Sequence, residues 1–189
     1  KGDYSDIKIA FDLSNGMSSL YAREIFGDEP AYIFEELDGN FPNHEPNPLI
    51  PKNVEPLQAL VKKTGADVGV IYDGDADRVM FVDNEGKFVS PDLMIAVLGH
   101  YFIDERHETG TVLQDIRSSK AVGEYLTPMG CKMATWKVGR AFAAKKLREL
   151  DGVWGGELAG HYYFRDFFYS DSGLLASILI LRVVAAMKK

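Results

Sequence analysis

The stretch Asp73-Gly74-Asp75-Ala76-Asp77-Arg78 holds three carboxylates at alternate positions, separated by two small residues and followed by an arginine. Gly74 and Ala76 allow a tight curl, so that side chains at i, i+2 and i+4 converge. Converging carboxylates repel one another unless a hard cation sits among them, and Mg2+ or Ca2+ takes oxygen ligands of this kind. Arg78 adds a permanent charge and a planar fork that suits phosphate. A metal with an arginine is one way to hold a phosphoryl group during transfer. Asp73, Asp75 and Asp77 are therefore candidate metal ligands, and Arg78 is a candidate catalytic residue.

Other readings of these six residues compete. An ordinary acidic turn would scatter its aspartates rather than alternate them at a strand end. An EF-hand loop also begins Asp-x-Asp-x-Asp, but it needs Gly at the sixth position and Glu at the twelfth. Arg78 and Asn84 stand there instead. An aspartyl-phosphatase loop, with Asp73 as nucleophile at the end of a strand, stays open.

A second stretch of interest is Gly155-Gly156-Glu157-Leu158-Ala159-Gly160-His161. Its glycines let backbone approach a ligand closely. A carboxylate beside an imidazole suits vicinal sugar hydroxyls, which need both an acceptor and a donor. The plain alternative is a glycine-rich hairpin with a surface glutamate and a packed histidine. A third stretch, Gly39 to Pro48, has three prolines and three asparagines in ten residues. It reads as an ordered loop near the acidic stretch, since such composition fits neither helix nor central strand and loops this long tend to be functional. His44 is either a loop hydrogen-bonding residue or a ligand.

The elements that must position these residues alternate between strand and helix. Strands are expected at Ile7–Phe11, Tyr32–Phe34, Val68–Tyr72, Thr111–Gln114, Met133–Thr135 and Val153–Trp154. Val79–Val82 and Lys87–Val89 read as a hairpin around Asp83 to Gly86. Helices are expected from Met17 to Phe26, from an Asn53 cap to Gly65, from Ser90-Pro91-Asp92 to Ile103, up to Met129, up to Leu150, and from Asp171-Ser172-Gly173 onward. Strand, aspartate, serine-bearing turn and helix at Asp12 recur at Asp115, which suggests two similar units. The fold class is α/β: two consecutive three-layer α/β/α domains, 1–90 and 91–189, with mixed, largely parallel sheets.

Composition bounds the rest. Hydrophobic content of 46% and charged content of 26% are ordinary for a globular protein. The net charge of −7 argues against nucleic acid as a partner. Residues 111–150 carry eight Lys/Arg against three Asp/Glu, or +5, which leaves −12 elsewhere; the segment could draw an anionic small substrate, while Lys145, Lys146 and Arg148 read as a solvated helix face. No apolar run reaches membrane-spanning length, since Leu174 to Met187 is broken by Ser177 and Arg182. The single Cys131 allows no internal disulfide and fits the cytoplasm. The first residues show neither an initiator Met nor a signal peptide, so either end is read as cut from something longer.

Taken together and in this order, the motifs resemble the phosphohexomutase family, in its phosphomannomutase/phosphoglucomutase branch. Asp73 to Arg78 is similar to that family's metal loop, and Gly156-Glu157-Leu158-Ala159-Gly160-His161 to its sugar-specificity loop. Phe41-Pro42-Asn43-His44-Glu45-Pro46-Asn47-Pro48 matches a further typical stretch. Asp115-Ile116-Arg117-Ser118-Ser119 and Lys137-Val138-Gly139-Arg140 lie where the family carries active-site basic residues.

The resemblance covers nearly the whole chain but only the second and third of four family domains. It implies a Mg2+-dependent isomerase that interconverts hexose 1-phosphate and hexose 6-phosphate through a hexose 1,6-bisphosphate. The donor would be a phosphoserine on domain 1, with domains 1 and 4 as partners in the same longer chain and no nucleic acid or membrane. Asp73, Asp75 and Asp77 would hold Mg2+; Arg78 and Arg117 would be catalytic. Gly156, Glu157, Ala159, His161, Lys137 and Arg140 would bind substrate. Ala159 replaces a common serine, Arg140 a common histidine, and Arg117 a frequent lysine; an arginine does not release its proton, so charge stabilisation is the role implied for Arg117. The piece alone is expected to be inactive. A non-catalytic sugar-phosphate-binding module is the remaining alternative.

Overall fold

The computed structural model describes Tyr4 and residues 6–188. Lys1 to Asp3, Ser5 and Lys189, which the sequence-based domain bounds include, lie outside the described residues. The fold divides into two compact units, one running to Val89 and taking in the stretch from Val184 onward, the other Ser90–Val183. No helix among the described residues is long and apolar enough to cross a membrane.

The first unit is a five-stranded sheet built from β1 (Ile9–Asp12), β2 (Ala31–Ile33), β3 (Val68–Tyr72), β4 (Val79–Asp83) and β5 (Phe88–Val89), in the order β2-β1-β3-β4-β5. β1 pairs parallel with β2 and β3, whereas β3–β4 and β4–β5 are antiparallel. Side chains alternate across a strand. Ala10 and Ile71 therefore join Met80 and Val82 against Val54, Leu57 and Val61 of helix α2 (Pro51–Thr64). Gly69 lies under the same helix: a Cβ there would stand 2.7 Å from Val61 Cγ2. On the alternate side, Phe11 packs 4.7 Å from Phe26 of helix α1 (Ala22–Phe26) and stacks between Tyr32 and Tyr72.

Two local expectations change here. The helix from Met17 is a 3-10 turn, Met17–Leu20, that breaks at Tyr21 before α1. Its opening N–H, on Met17, is spent on Gly74 O, a residue of the acidic loop. Helix α2 starts at Pro51, with Ile50 as cap, rather than at Asn53. Proline at the first helical position gives up no intrahelical bond, and Asn53 is buried with its amide donating to Asn47 O (3.0 Å). The other end is as read: Gly65 takes the left-handed cap (φ 64) after Lys62 and Lys63.

The second unit repeats the plan. β6 (Thr111–Asp115), β7 (Lys132–Trp136), β8 (Trp154–Gly156), β9 (Tyr162–Phe164) and β10 (Ser170–Asp171) form a sheet ordered β10-β9-β8-β6-β7. β6 is parallel to β7 and β8, and β8–β9 and β9–β10 are antiparallel. Leu113 and Tyr163 pack with Ala143 and Leu147 of helix α5 (Arg140–Glu149). Trp154 stacks on Phe102 at 4.6 Å and donates its indole N–H to Ile95 O in helix α3 (Leu93–His100). Helix α4 (Lys120–Leu126) is capped by Ser119, and α6 (Gly173–Lys188) closes the chain. Each sheet is thus mixed, with parallel and antiparallel pairings in equal share. The antiparallel share exceeds expectation because β8 leads to β9 through a short loop and β9 to the two-residue β10 through only a 3-10 turn, Arg165–Phe167.

Candidate functional site

In the first unit β3 delivers Asp73 at its end, and the chain turns back into β4 within the next residues. Ala76 takes a left-handed conformation (φ 62), which a tight reversal requires. One carboxylate oxygen each from Asp73, Asp75 and Asp77 lies within 4.8 Å of the others. Asp73 is buried and Asp75 exposed. Arg78 folds back over the loop: its Nε donates to Asp73 Oδ2 (2.7 Å), its backbone N–H to Asp73 Oδ1 (3.1 Å), and Nε stands 4.0 Å from Asp77 Oδ1. The three carboxylates form an acidic oxygen cluster beside the Arg78 guanidinium. A set made only of carboxylate oxygens fits a hard divalent cation.

Two segments hold this loop. From one side comes the turn after β1, where Ser14 and Asn15 both take positive φ (51 and 53). Ser14 Oγ donates to Tyr72 O (2.6 Å) and Met17 N to Gly74 O (2.9 Å). Gly16 is glycine for space, since a Cβ would stand 2.7 Å from Gly74 O. From the other side comes the Gly39–Pro48 loop, whose Asn47 accepts from Arg78 Nη1 (3.5 Å). Asn43 and Asn15 join the two segments through a 2.8 Å hydrogen bond. Asn15, Gly16, Met17, Leu37, Phe41 and Pro46 line a cavity of ≈ 460 Å³ that opens on Asp73, Gly74, Asp75 and Arg78.

In the second unit the organising group is Asp115, buried at the end of β6. Its Oδ1 accepts from the N–H groups of Arg117 (2.7 Å) and Ser118 (3.1 Å). Oδ2 accepts from Arg117 Nη2 (2.9 Å) and from Leu158 N (2.9 Å), within the glycine-rich loop between β8 and β9. Burial pushes the Asp115 carboxyl up, but these bonds outweigh it and hold the group below the ordinary aspartate value. Arg117 is thereby tied to the glycine-rich loop through one carboxylate.

Glu157 departs from the surface position a glycine-rich loop suggests. It is buried, with Oε1 accepting from Gly139 N (2.7 Å) and Oε2 from the Tyr163 hydroxyl (2.8 Å). Burial and the adjacent carboxylate push the Tyr163 phenol up, so it stays a donor. Glu157 thus ties the turn after β7 to the loop after β8. Asp171, also buried, accepts from Arg140 Nε (2.7 Å) and His161 Nδ1 (2.7 Å). His161 and Arg140 are therefore linked through Asp171, while Glu157 holds Gly139, the residue before Arg140. Lys137 lies apart from it, exposed, its ammonium 3.5 Å from the centre of the Phe142 ring. Gly156 is buried and Ala159 half-buried.

Three contributors were invisible in the sequence as site residues: Asp92, Tyr163 and Asp171. Asp92, read as a helix-start acid, instead accepts from Ser119 N (2.7 Å), 27 residues on. Asp171 reaches a partner 31 residues away. Only the repeated strand-end aspartate, Asp12 and Asp115, offered a signal.

The chain matches two family models: phosphoglucomutase/phosphomannomutase alpha/beta/alpha domain II over residues 2–86, and domain III over residues 90–189. It is 32% identical over 183 residues to a phosphomannomutase/phosphoglucomutase of Pseudomonas putida, covering 95% of this chain and 39% of that protein. It is 36% identical over 152 residues to a phosphomannomutase of Escherichia coli, covering 80% of this chain and 33% of the relative. A crystal structure of a phosphoglucomutase/phosphomannomutase family protein from Burkholderia thailandensis superposes with a TM-score of 0.86 at 30% identity, covering 97% of this chain and 42% of that one. The chain spans about 40% of the length of the relatives it matches. With its two α/β/α units and both loops accounted for, the chain belongs to the phosphoglucomutase/phosphomannomutase family.

Proposed function

We propose that these residues carry the metal-binding and sugar-binding parts of a phosphohexomutase that interconverts hexose 1-phosphate and hexose 6-phosphate. The observation that carries the reading is the convergence of three carboxylate oxygens within 4.8 Å beside the Arg78 guanidinium. Asp73, Asp75 and Asp77 would hold Mg2+, which when bound neutralises phosphoryl oxygens and leaves positions for water or phosphate. Arg78, its Nε held by Asp73, offers the rest of its fork to phosphate oxygens. Arg117, anchored by Asp115, supplies fixed positive charge for a transferring phosphoryl group. Arg140, Lys137 and His161 are assigned to the sugar phosphate, with Gly156 and Ala159 as the close backbone contacts. Glu157 is assigned to the sugar hydroxyls and also shapes the loop from within.

The phosphoryl donor in this proposal is a serine outside these residues, since no Ser-His-Asn-Pro string occurs in them. The reaction would then pass through a hexose 1,6-bisphosphate, domains 1 and 4 of a longer chain would complete the site, and the location would be cytoplasmic. An aspartyl-phosphatase reading is disfavoured. What disfavours it is the match to the phosphoglucomutase/phosphomannomutase family models over residues 2–86 and 90–189. The test is turnover of glucose 1-phosphate and mannose 1-phosphate. The full-length enzyme should convert both with Mg2+ and lose activity in Asp75→Asn. The 189 residues alone should convert neither; turnover by them, free of contaminating enzyme, would overturn the proposal.

A further inference from the structure

Five non-glycine residues of the first unit adopt positive φ between β1 and β4: Ser14 (51), Asn15 (53), Phe34 (53), Phe41 (49) and Ala76 (62). Each such residue stores backbone strain and persists only where surrounding contacts over-determine it. One buried pair, Asp12 and His44, stands between the segments that carry this strain. His44 Nε2 lies 3.0 Å from Asp12 Oδ2, with the two side chains 6% and 0% exposed. His44 Nδ1 donates to Glu45 O (2.8 Å), and Phe34 meets the imidazole edge-on at 5.3 Å.

Because Glu45 O can only accept, Nδ1 carries a proton. One further proton then sits between Nε2 and Oδ2, so the pair is neutral overall whichever atom holds it. A neutral pair adds no charge next to the acidic loop. From Asp12 the connection runs through Oδ1 to Ser14 N (2.8 Å), and through Ser14 Oγ to Tyr72 O, the residue before Asp73. From His44 it runs along the Pro-rich loop to Pro46, 3.4 Å from a Cβ built on Gly74, and to Asn47, the partner of Arg78. The two segments that clasp the acidic loop are therefore joined to each other by this pair.

We infer that Asp12 and His44 are a positioning pair that holds the Asp73–Arg78 loop in its cation-binding shape; the inference rests on the metal reading proposed above. Neither side chain touches the three carboxylates. Their effect is on affinity through the backbone at Tyr72 and Gly74.

The experiment is a Mg2+ titration of the 189-residue chain, followed by the backbone amide NMR signals of residues 73–78, well below each variant's melting temperature. His44→Phe keeps a ring of similar shape but makes neither hydrogen bond, and should raise the Kd at least about fivefold. Asp12→Asn, whose amide can still bridge Ser14 N–H and His44 Nε2, should lose clearly less. His44→Gln keeps one of the two bonds and should fall between them, so it decides the matter if His44→Phe does not fold. Unchanged Kd in His44→Phe or His44→Gln would overturn the inference and reduce the pair to a stabilising contact. A wild-type chain whose response to Mg2+ survives Asp75→Asn would instead overturn the metal reading itself.

Discussion

The two units share one strand plan, β2-β1-β3-β4-β5 and β7-β6-β8-β9-β10, yet the loop after β3 in the first is acidic, whereas around the strand ends of the second cations are presented. In the first unit that loop carries three aspartates with one arginine folded onto them. In the second unit the carboxylates are internal and the cations face out. Asp115 and Asp171 side chains are 1% and 0% exposed, against 43% and 57% for their partners Arg117 and Arg140. The same plan therefore gathers carboxylate oxygens at one strand end in the first unit, and in the second buries carboxylates as anchors for exposed guanidiniums.

If that contrast is correct, removing a buried anchor should damage the second unit far more than removing an exposed ligand damages the first. Asp115→Ala strips acceptors from three backbone N–H groups and should cost roughly 3–5 kcal/mol. Both tryptophans, Trp136 and Trp154, lie in the second unit, so their fluorescence during urea unfolding reads it directly. Glu157→Ala leaves two buried donors unpaired and should cost roughly 2–4 kcal/mol. Glu157→Gln should cost only about 1 kcal/mol, because the amide oxygen can accept from Gly139 while Tyr163 turns to accept from the amide. In the full-length enzyme that variant should still lower kcat/KM if Glu157 reads sugar hydroxyls.

The same contrast predicts opposite pH senses. Burial pushes Asp171 up, but hydrogen bonds from His161 and Arg140 outweigh it and hold it low, as Asp115 is held. Stability from both is full above their unfolded value of 3.8 and is lost as pH falls through the lower folded values. In the first unit, burial pulls His44 down, yet its bonds to Asp12 and Glu45 O leave it above 6.5. Burial raises Asp12, and His44 only partly offsets it. Stability from His44 is therefore full below pH 6.5 and is lost as pH rises through its folded value; Asp12 acts in the same direction. Unfolding followed by tryptophan fluorescence and by amide signals of β1 and β3 should separate the two trends. The smallest expected effect is Asp75→Asn, less than about 0.5 kcal/mol in stability for an exposed loop residue.

What was legible in the sequence was local. Val68–Tyr72 read as a strand because it is a short, β-rich apolar run bounded by turn formers, and Gly65 read as a cap from its place after two lysines; both stand as expected. The Asp12/Asp115 echo was legible for the same reason, and it marks the equivalent strands β1 and β6. What was not legible depends on distance along the chain. β10 is two residues long and owes its existence to pairing with β9. Asn53 looked like a cap because nothing local says that Asn47 O needs its amide. Glu157 looked like a surface residue because Tyr163 and Gly139 become its partners only once β7, β8 and β9 assemble.

The central claim, a cation seat in one unit and an anion-facing surface in the other, is tested most directly by two titrations on one NMR sample. Mg2+ should shift the amides of residues 73–78 and leave 115–119 and 137–140 in place. Glucose 1-phosphate added without metal should shift 115–119 and 137–140 and leave 73–78 in place. A common set of amides answering both ligands, or phosphate shifting the Asp73–Arg78 loop alone, would contradict the account.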